Sequence, residues 1–321
     1  MQSKAHALVV LPAGTSASRI APPHAGWLRK ARVARGAPDE LLLQTLRALG
    51  MAPSEGLAAL RLWGQTGAPP AGWVAAADPV YLEARLDHLV LHPVSAAELG
   101  AAEVGELFGY LQRVLGEAGS LEFTAIGTLG YVRRDPPLIT AQVSPILARG
   151  ASPEEFMPAG EASRAHDRLQ SEVQMCLFES PVNQRRMAAG QRPVNALWLW
   201  GGGDAASQSA AVLPALYADD PLFRGYWLSA SAEEADWPGS LPACLEASPA
   251  GFVAVLPEHE LAHIDAAMLS HLADLRRLLK RGTLRAVTIV SGDGLRVDMS
   301  RWDALRLWRR NSGLFGQDAA R

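Results

Sequence analysis

The stretch GFVAVLPEHELAHIDAAMLSHLADLRRLLKRG, residues 251–282, joins a short apolar run to a long amphipathic segment. The run from Phe252 to Leu256 has the composition of a buried β-strand. After it, apolar residues recur at the spacing of a helix with one buried face: Leu261, Ile264, Met268, Leu272, Leu275 and Leu279. Gly282 is placed to end that helix. The stretch therefore predicts a strand followed by a helix.

Other parts of the chain repeat this alternation. HALVVLP (6–12) and RAVTIVSGDG (285–294) predict short buried strands, and NALWLWGGGD (195–204) predicts a strand that runs into a glycine turn. PDELLLQTLRALG (38–50) predicts a helix. Helices between apolar strands favour an α/β fold with a mainly parallel sheet, whose functional sites are expected at the carboxyl ends of the strands.

The segment 78–150 has a different pattern. It contains one alternating strand, one amphipathic helix and two more strands, and Gly/Pro-rich stretches flank it. This order predicts a compact α+β unit. We therefore expect an insertion domain over 78–150, and one α/β domain formed by 1–77 and 151–321.

The composition is that of an ordinary globular protein, with 49% hydrophobic and 20% charged residues. Two cysteines, Cys176 and Cys244, make no disulfide framework, so a reduced cytoplasmic protein is the simplest interpretation. No apolar run reaches the roughly 18 residues that a membrane span needs, so no membrane partner is expected.

Charge is distributed unevenly along the chain. The net charge is −3, yet residues 276–321 contain 11 basic and 4 acidic residues, a local balance of +7. Within this part, RWDALRLWRR (301–310) places Trp302 and Trp308 along one side of a basic amphipathic segment. This pattern predicts a helix that buries its tryptophans on the parent domain, with a partner-docking helix as the alternative. A solvated basic face is favoured over a nucleic-acid site.

The motif His-Glu-x-x-His lies in PEHELAH (257–263). On a helix, His259 and His263 would share one face, and Glu260 would be the general base of a zinc protease. However, the preceding strand ends near Leu256, and neither Glu nor His follows His271 to provide a third ligand. These features disfavour a zinc protease, and His271 itself is interpreted as an ordinary residue of the helix surface.

A second motif imitates a nucleotide-binding loop. Gly201, Gly203 and Ala206 follow a predicted strand with the spacing G-x-G-x-x-A, and Asp219 lies near the expected position of a ribose-binding acid. The stretch LPALYA before Asp219 is interpreted as a short helix, where the motif needs a second strand. A tight glycine turn is therefore favoured, and no nucleotide cofactor is expected.

Two longer stretches resemble a known bacterial family. They are LQSEVQMCLFESPVNQRRMAAGQRPVNALWLWGGG (169–203) and ADDPLFRGYWLSA (218–230). Both are similar to the regulatory protein RpfE-type family, whose members are also described as cofactor-independent phosphoglycerate mutase-like. The resemblance implies an alkaline-phosphatase-like α/β fold, with 78–150 as its small insertion domain.

The resemblance also implies a set of site positions. Mutases and phosphatases of this superfamily bind two divalent metals through Asp and His, and a metal-activated Ser or Thr attacks the phosphate. In this chain Pro12 and Ala13 stand where the first metal-binding Asp is expected. Thr15 and Ser16 are nucleophile candidates only because they follow closely in the sequence.

The remaining ligand positions are incomplete. His263 can stand for the His of an Asp-x-x-x-His pair, with Glu258 or His259 in place of the Asp. Asp293 matches the Asp of a later Asp-His pair, but Gly294 replaces its His, and the last metal His of the family has no counterpart. His259, His263 and Asp293 are therefore the candidate remnant of a metal site.

The missing ligands favour a non-catalytic, mutase-like protein that binds or regulates. Its partner would be an unknown protein or small-molecule ligand, and no cofactor is expected. The alternative is a metal-dependent phosphomutase or phosphohydrolase with an altered ligand set, which would hold one zinc or manganese ion through His259, His263 and Asp293.

Overall fold

The structure is a computed structural model of the chain. It describes residues 5–12, 27–28, 31–52, 54–117, 120–205, 212–257 and 264–303, without the side chains of 162 and 264–269. The strands are β1 (Ala5–Val10), β2 (Arg32–Arg35), β3 (Val74–Ala84), β4 (Leu89–Pro93), β5 (Leu121–Ile126), β6 (Leu129–Arg134), β7 (Ala196–Gly203), β8 (Ala215–Tyr217), β9 (Glu234–Ala235), β10 (Gly251–Val255), β11 (Leu284–Val290) and β12 (Leu295–Ser300). The helices are α1 (Leu41–Ala48), α2 (Leu57–Thr66), α3 (Ala101–Leu115), α4 (Arg164–Glu179), α5 (Pro181–Ala188), α6 (Pro221–Ser229), α7 (Leu241–Ala247) and α8 (Ile264–Arg281).

The chain divides into two compact units. One, here called the parallel-sheet unit, is formed by Met1–Pro53 and Gln208–Arg321. The other, here called the antiparallel-sheet unit, is the continuous segment Ser54–Ser207. The chain therefore leaves the first unit, builds the whole of the second, and returns.

The parallel-sheet unit has a seven-stranded sheet in the order β2-β12-β11-β1-β10-β8-β9. From β11 to β9 every neighbouring pair is parallel, whereas β12 and β2 add two antiparallel pairings at one edge. Helices α7 and α8 pack on this sheet, and α1 lies against β11. The predicted fold class, an α/β fold with a mainly parallel sheet flanked by helices, is confirmed.

The core of this unit follows from the apolar runs of its strands. In β1 all residues but His6 are buried, as expected for a parallel strand covered on both faces. One side of the sheet joins α7 and α8 in a single apolar cluster that includes Val9, Phe252, Leu275 and Ile289. Helix α8 thus buries Leu272, Leu275 and Leu279, the members of the predicted 251–282 stripe whose side chains the structure describes.

The antiparallel-sheet unit has a five-stranded sheet. Its main order is β4-β3-β6-β5, and β7 pairs with β3 as well. All of these pairings are antiparallel. One face of the sheet forms an apolar cluster with α3 and α4, centred on Phe108, Val132, Val173 and Leu199. On the other face Ala59 and Leu62 of α2 pack with Tyr131.

The boundaries of this unit differ from those expected for the insertion. The segment 78–150 lies inside Ser54–Ser207, and its sheet is completed by β7 and covered by α2, both from outside 78–150. The physical reason is the long β3–β7 ladder, which runs from Val74 opposite Gly203 to Val80 opposite Ala196. Strand β7 therefore belongs to this sheet and is not part of the parallel sheet.

Three local predictions differ from the structure. LPALYA contains a three-residue strand, β8, parallel to β10, where a short helix was expected. His271 is buried, with its ring edge-on to Trp237, although the sequence suggested a surface position. Trp302 is 62% exposed, although its apolar neighbours predicted burial, and Trp308 lies outside the described residues.

None of the helices that the structure describes is long and apolar enough to cross a bilayer.

Candidate functional site

The carboxyl edge of the parallel strands is the place where the sequence predicts a site. Strands β11, β1, β10 and β8 are consecutive neighbours in the sheet, so their carboxyl ends meet at one edge. The backbone N–H of Leu11 donates to the carbonyl of Val290 (2.8 Å), and that of Leu256 donates to Val10 (3.0 Å). These bonds hold β1, β10 and β11 side by side where the chain leaves the sheet, at Pro12, Pro257 and Ser291.

Of the predicted site residues, the structure describes Asp293 only. Thr15, Ser16, His259 and His263 lie outside the described residues. At the end of β1 the described residue is Pro12, which is buried and carries no ligand atom in its side chain.

Asp293 lies in the tight turn that joins β11 to β12. Its Oδ1 accepts a hydrogen bond from the Ser291 hydroxyl (2.5 Å) and a longer one from the Leu295 N–H (3.4 Å). The turn is closed by backbone bonds from the Ser291 N–H to Leu295 (3.1 Å) and from the Gly294 N–H to Ser291 (3.1 Å). This carboxylate thus has a local role, because it organises the hairpin that ends the parallel part of the sheet.

Gly294, where the resemblance to the phosphatase superfamily implies a histidine, has no room for a side chain. Its φ of +80° is a conformation that glycine adopts freely and other residues rarely adopt. A Cβ atom there would lie 2.3 Å from the carbonyl oxygen of Gly36 and 2.9 Å from that of Ala37. An imidazole at this position would require the turn and the 36–37 backbone to move.

Two more carboxylates follow β8 at the same edge. Oδ1 of Asp220 accepts from the N–H groups of Leu222 (2.8 Å) and Phe223 (3.1 Å), and so caps helix α6. Oδ1 of Asp219 accepts from the N–H of Trp237 (3.1 Å). Both residues have structural contacts, and among the described residues no group of three or more His, Cys, Asp and Glu side chains is arranged to hold a metal.

The triple glycine after Trp200 is part of strand β7, where the sequence suggested a turn. A Cβ on Gly202 would lie 2.7 Å from the Trp73 ring and 2.9 Å from the Thr140 hydroxyl, and a Cβ on Gly203 would lie 2.7 Å from Gly56. Close packing of neighbouring segments therefore accounts for these glycines.

A polar row that sequence patterns did not reveal crosses the parallel sheet. The Thr288 hydroxyl donates to Oδ1 of Asp298 (2.7 Å), so it must accept from Nε2–H of His6 (2.9 Å). Arg296 also binds Asp298 through Nε (2.8 Å). Partial burial lowers the pKa of His6, although Asp298 counteracts this. The row fixes the neutral imidazole in its Nε2–H form.

The antiparallel-sheet unit contains a buried ion pair. Nη1 of Arg61 donates to Oδ2 of Asp78 (2.9 Å), and Nη2 donates to the Gly130 carbonyl (2.9 Å). The guanidinium lies over the rings of Tyr131 (4.8 Å) and Trp200 (5.4 Å). Burial by itself would lower the pKa of Arg61, but Asp78 and Tyr131 outweigh it and raise the pKa. The pair ties helix α2 to the sheet.

The mainly parallel sheet and its carboxyl edge make this an α/β protein, and comparisons with known proteins show which α/β proteins it resembles. No protein-family model matches the chain. A segment of 121 residues, 36% of this chain, is 33% identical to the "probable 2,3-bisphosphoglycerate-independent phosphoglycerate mutase" of Geobacter sulfurreducens. The match spans 30% of that protein's length. It establishes a sequence relationship to this kind of mutase over the aligned segment.

Solved structures provide the comparison at the level of the fold. The PH0037 protein from Pyrococcus horikoshii aligns with 94% of this chain and 88% of its own, with a TM-score of 0.55 and 13% sequence identity. The two proteins therefore share a fold. The cofactor-independent phosphoglycerate mutase from Thermoplasma acidophilum aligns with 92% of this chain and 89% of its own at 15% identity, and its TM-score of 0.39 is too low to define a common fold by itself.

Proposed function

We propose that this protein is a phosphoglycerate mutase-like member of the alkaline phosphatase superfamily whose phosphoryl-transfer site is degenerate, and that it has a binding or regulatory role. The RpfE-type resemblance of residues 169–203 and 218–230 favours a regulatory role. The free cysteines, both buried, favour a reducing compartment such as the cytoplasm.

The observation that carries this proposal is the turn at Asp293 and Gly294. A two-metal phosphoryl site needs carboxylate and imidazole ligands held together around the cations. Here the carboxylate accepts hydrogen bonds from its own turn, and the position of the imidazole is a glycine hemmed in by the backbone of Gly36. Pro12 at the end of β1 supports the same conclusion, because a carboxylate is expected there.

A specific observation favours the second candidate, a metal-dependent phosphomutase or phosphohydrolase. The end of β11, which leads to Asp293, is two strands away from the end of β10, which leads directly into residues 258–263. Two strand spacings amount to about 10 Å. Side chains that reach inward from both ends are able to share one zinc or manganese ion.

The test is the activity and metal content of the purified protein. We expect no interconversion of 2- and 3-phosphoglycerate and no hydrolysis of an aryl phosphate, with or without added Mn²⁺, Zn²⁺ or Mg²⁺. Turnover that requires a metal and disappears in His263→Ala would overturn the proposal and establish the single-metal enzyme.

Two substitutions at Asp293 separate its turn role from a ligand role. Asp293→Asn keeps an oxygen that accepts from Ser291 and Leu295, so we expect stability close to that of the wild type. Asp293→Ala removes the acceptor and should cost about 1 kcal/mol. Metal analysis by mass spectrometry is the second readout, because loss of bound metal in Asp293→Asn would indicate that the carboxylate is a ligand.

A further inference from the structure

Helix α4 has an apolar surface stripe that the core does not use. Its inward face is buried through Leu169, Val173, Cys176 and Leu177. On the outward face Met175 is 63% exposed and Phe178 is 73% exposed. Two large apolar side chains one turn apart on an otherwise polar surface are typical of an interaction site.

The charges along this stripe are asymmetric. Arg164 and Arg168 lie in its first half, whereas Glu172 and Glu179 lie in its second half beside the apolar pair. At 100° per residue, all of these residues fall within about 60° of the direction of Met175. Ser171, a small exposed residue, lies at the middle of the stripe.

Two copies of this stripe are complementary when their helices run antiparallel, because the positive half of each helix then faces the negative, apolar half of the other. A two-fold axis near Ser171 would place Arg164 of one helix opposite Phe178 and Glu179 of the other, and Arg168 opposite Met175. A parallel pairing would instead place arginine against arginine and glutamate against glutamate. We propose that the α4 stripe binds a second copy of this chain, with the two helices antiparallel about a two-fold axis near Ser171.

Existing contacts do not oppose this pairing. Arg164 bonds to Glu161 (3.2 Å) and Arg168 bonds to Glu172 (3.0 Å), and both arginines are largely exposed in these pairs. Exposed ion pairs of this kind contribute about 0–1 kcal/mol each, so they exchange easily for contacts in a dimer. Burial of the Phe178 ring beneath a guanidinium adds apolar contact and a cation–π interaction.

The first experiment measures self-association of the full chain by sedimentation velocity over a range of protein concentrations. We expect a concentration-dependent dimer, and we expect Phe178→Glu to weaken it about tenfold or more, as for an interface hot spot. The matched control is Leu86→Glu, because Leu86 is fully exposed between β3 and β4 and lies outside the stripe. A wild-type protein that stays monomeric, or a dimer that Phe178→Glu leaves intact, would refute the proposal.

A charge exchange tests the antiparallel geometry. Arg164→Glu and Glu179→Arg should each weaken the dimer, because each places like charges opposite one another. The double variant should restore it, since the opposite pairs are then re-formed with reversed sign. A glutamate at the N-terminus and an arginine at the C-terminus of α4 both interact favourably with the helix dipole. The helix content measured by circular dichroism should therefore equal that of the wild type. A double variant as weak as the single variants would exclude this pairing.

Discussion

Two histidines, one in each unit, have pKa values that burial lowers. His166 in α4 is almost fully buried, and Asp167 only partly counteracts the effect of burial on its pKa. His6 is the other: partial burial lowers its pKa and Arg296 lowers it further, although Asp298 counteracts both effects. In the unfolded chain both return to an ordinary pKa of about 6.5. Below that pH the unfolded state binds more protons than the folded state, so acid favours unfolding.

Stability should therefore depend on pH in a predictable direction. The contribution of the two neutral histidines is complete above about pH 6.5 and decreases as the pH falls toward the folded-state pKa values. We expect the midpoint of thermal unfolding to decrease from about pH 7 to about pH 5. His6→Gln, which can still donate to Thr288, and His166→Gln should each make this decrease shallower.

The control for this experiment is Leu86→Gln, because Leu86 is fully exposed and neither side chain titrates. This variant should leave the slope of the midpoint against pH unchanged. A wild-type midpoint that stays constant over this range, or a slope that neither His6→Gln nor His166→Gln alters, would contradict the expectation.

At the residue scale, Asp293 is the one candidate site residue that the structure describes. It follows β11 at the carboxyl edge of the sheet, but its hydrogen bonds to Ser291 and Leu295 could not be inferred from residue type. A carboxylate after a strand serves equally well as a metal ligand, a helix cap or a turn acceptor. Arg61 and Asp78 gave no signal, because 17 positions separate them and only the fold brings them together.

At the scale of single elements, two glycines on one side of the antiparallel sheet differ in what surrounds them. Gly105 lies on the exposed side of α3, and a Cβ there would meet nothing within 4 Å. Gly130 lies in β6, where a Cβ would lie 2.0 Å from the Phe108 ring and 2.3 Å from the carbonyl of Ala77. The effect of an added side chain on stability should therefore depend on helix propensity at Gly105 and on steric clash at Gly130.

Replacing each glycine with alanine should therefore change stability in opposite directions. Gly105→Ala should stabilise by about 0.5–1 kcal/mol, because alanine restricts the unfolded chain and favours the helix. Gly130→Ala should destabilise by about 1–3 kcal/mol or more, because the helix and sheet must separate. Urea unfolding followed by circular dichroism measures both, and equal shifts for the two variants would contradict the packing seen around Gly130.

The elements themselves were predictable where their pattern was long. Helix α8 and strands β10 and β11 lie where periodicity placed them, because each has a sustained buried face. Strand β8 was missed because it has only three residues, too few to show a period. The partner of β7 was also beyond prediction, since an apolar strand carries no mark of the sheet in which it pairs.

On the scale of the whole molecule, the antiparallel-sheet unit begins and ends at neighbouring points. A Cβ on Gly56 would lie 2.5 Å from the carbonyl oxygen of Asp204, and Gly203 packs on Gly56 itself. The unit therefore has its own sheet and two apolar clusters, and its first and last segments are in contact. These are the properties of a segment that folds independently.

We expect the fragment 54–207 to fold when it is expressed alone, with a cooperative thermal transition and dispersed amide signals in NMR spectra. The matched control is the shorter fragment 78–150. It lacks β7 and α2, which would leave one edge of β3 and one face of the sheet uncovered, so it should not give a cooperative transition. If the fragment 78–150 unfolded cooperatively and the fragment 54–207 did not, the boundaries 78–150 would be supported instead.

The central position of β1 has a consequence for the order of folding during synthesis. His6 pairs with Gly251 on one side and with Ala286 on the other, so this strand has both neighbours only after the chain has been synthesised beyond residue 286. The antiparallel-sheet unit needs no such distant partner and is able to form earlier. Until β10 and β11 arrive, the apolar run of β1 has no ladder partner in this sheet and is a target for chaperones and for aggregation.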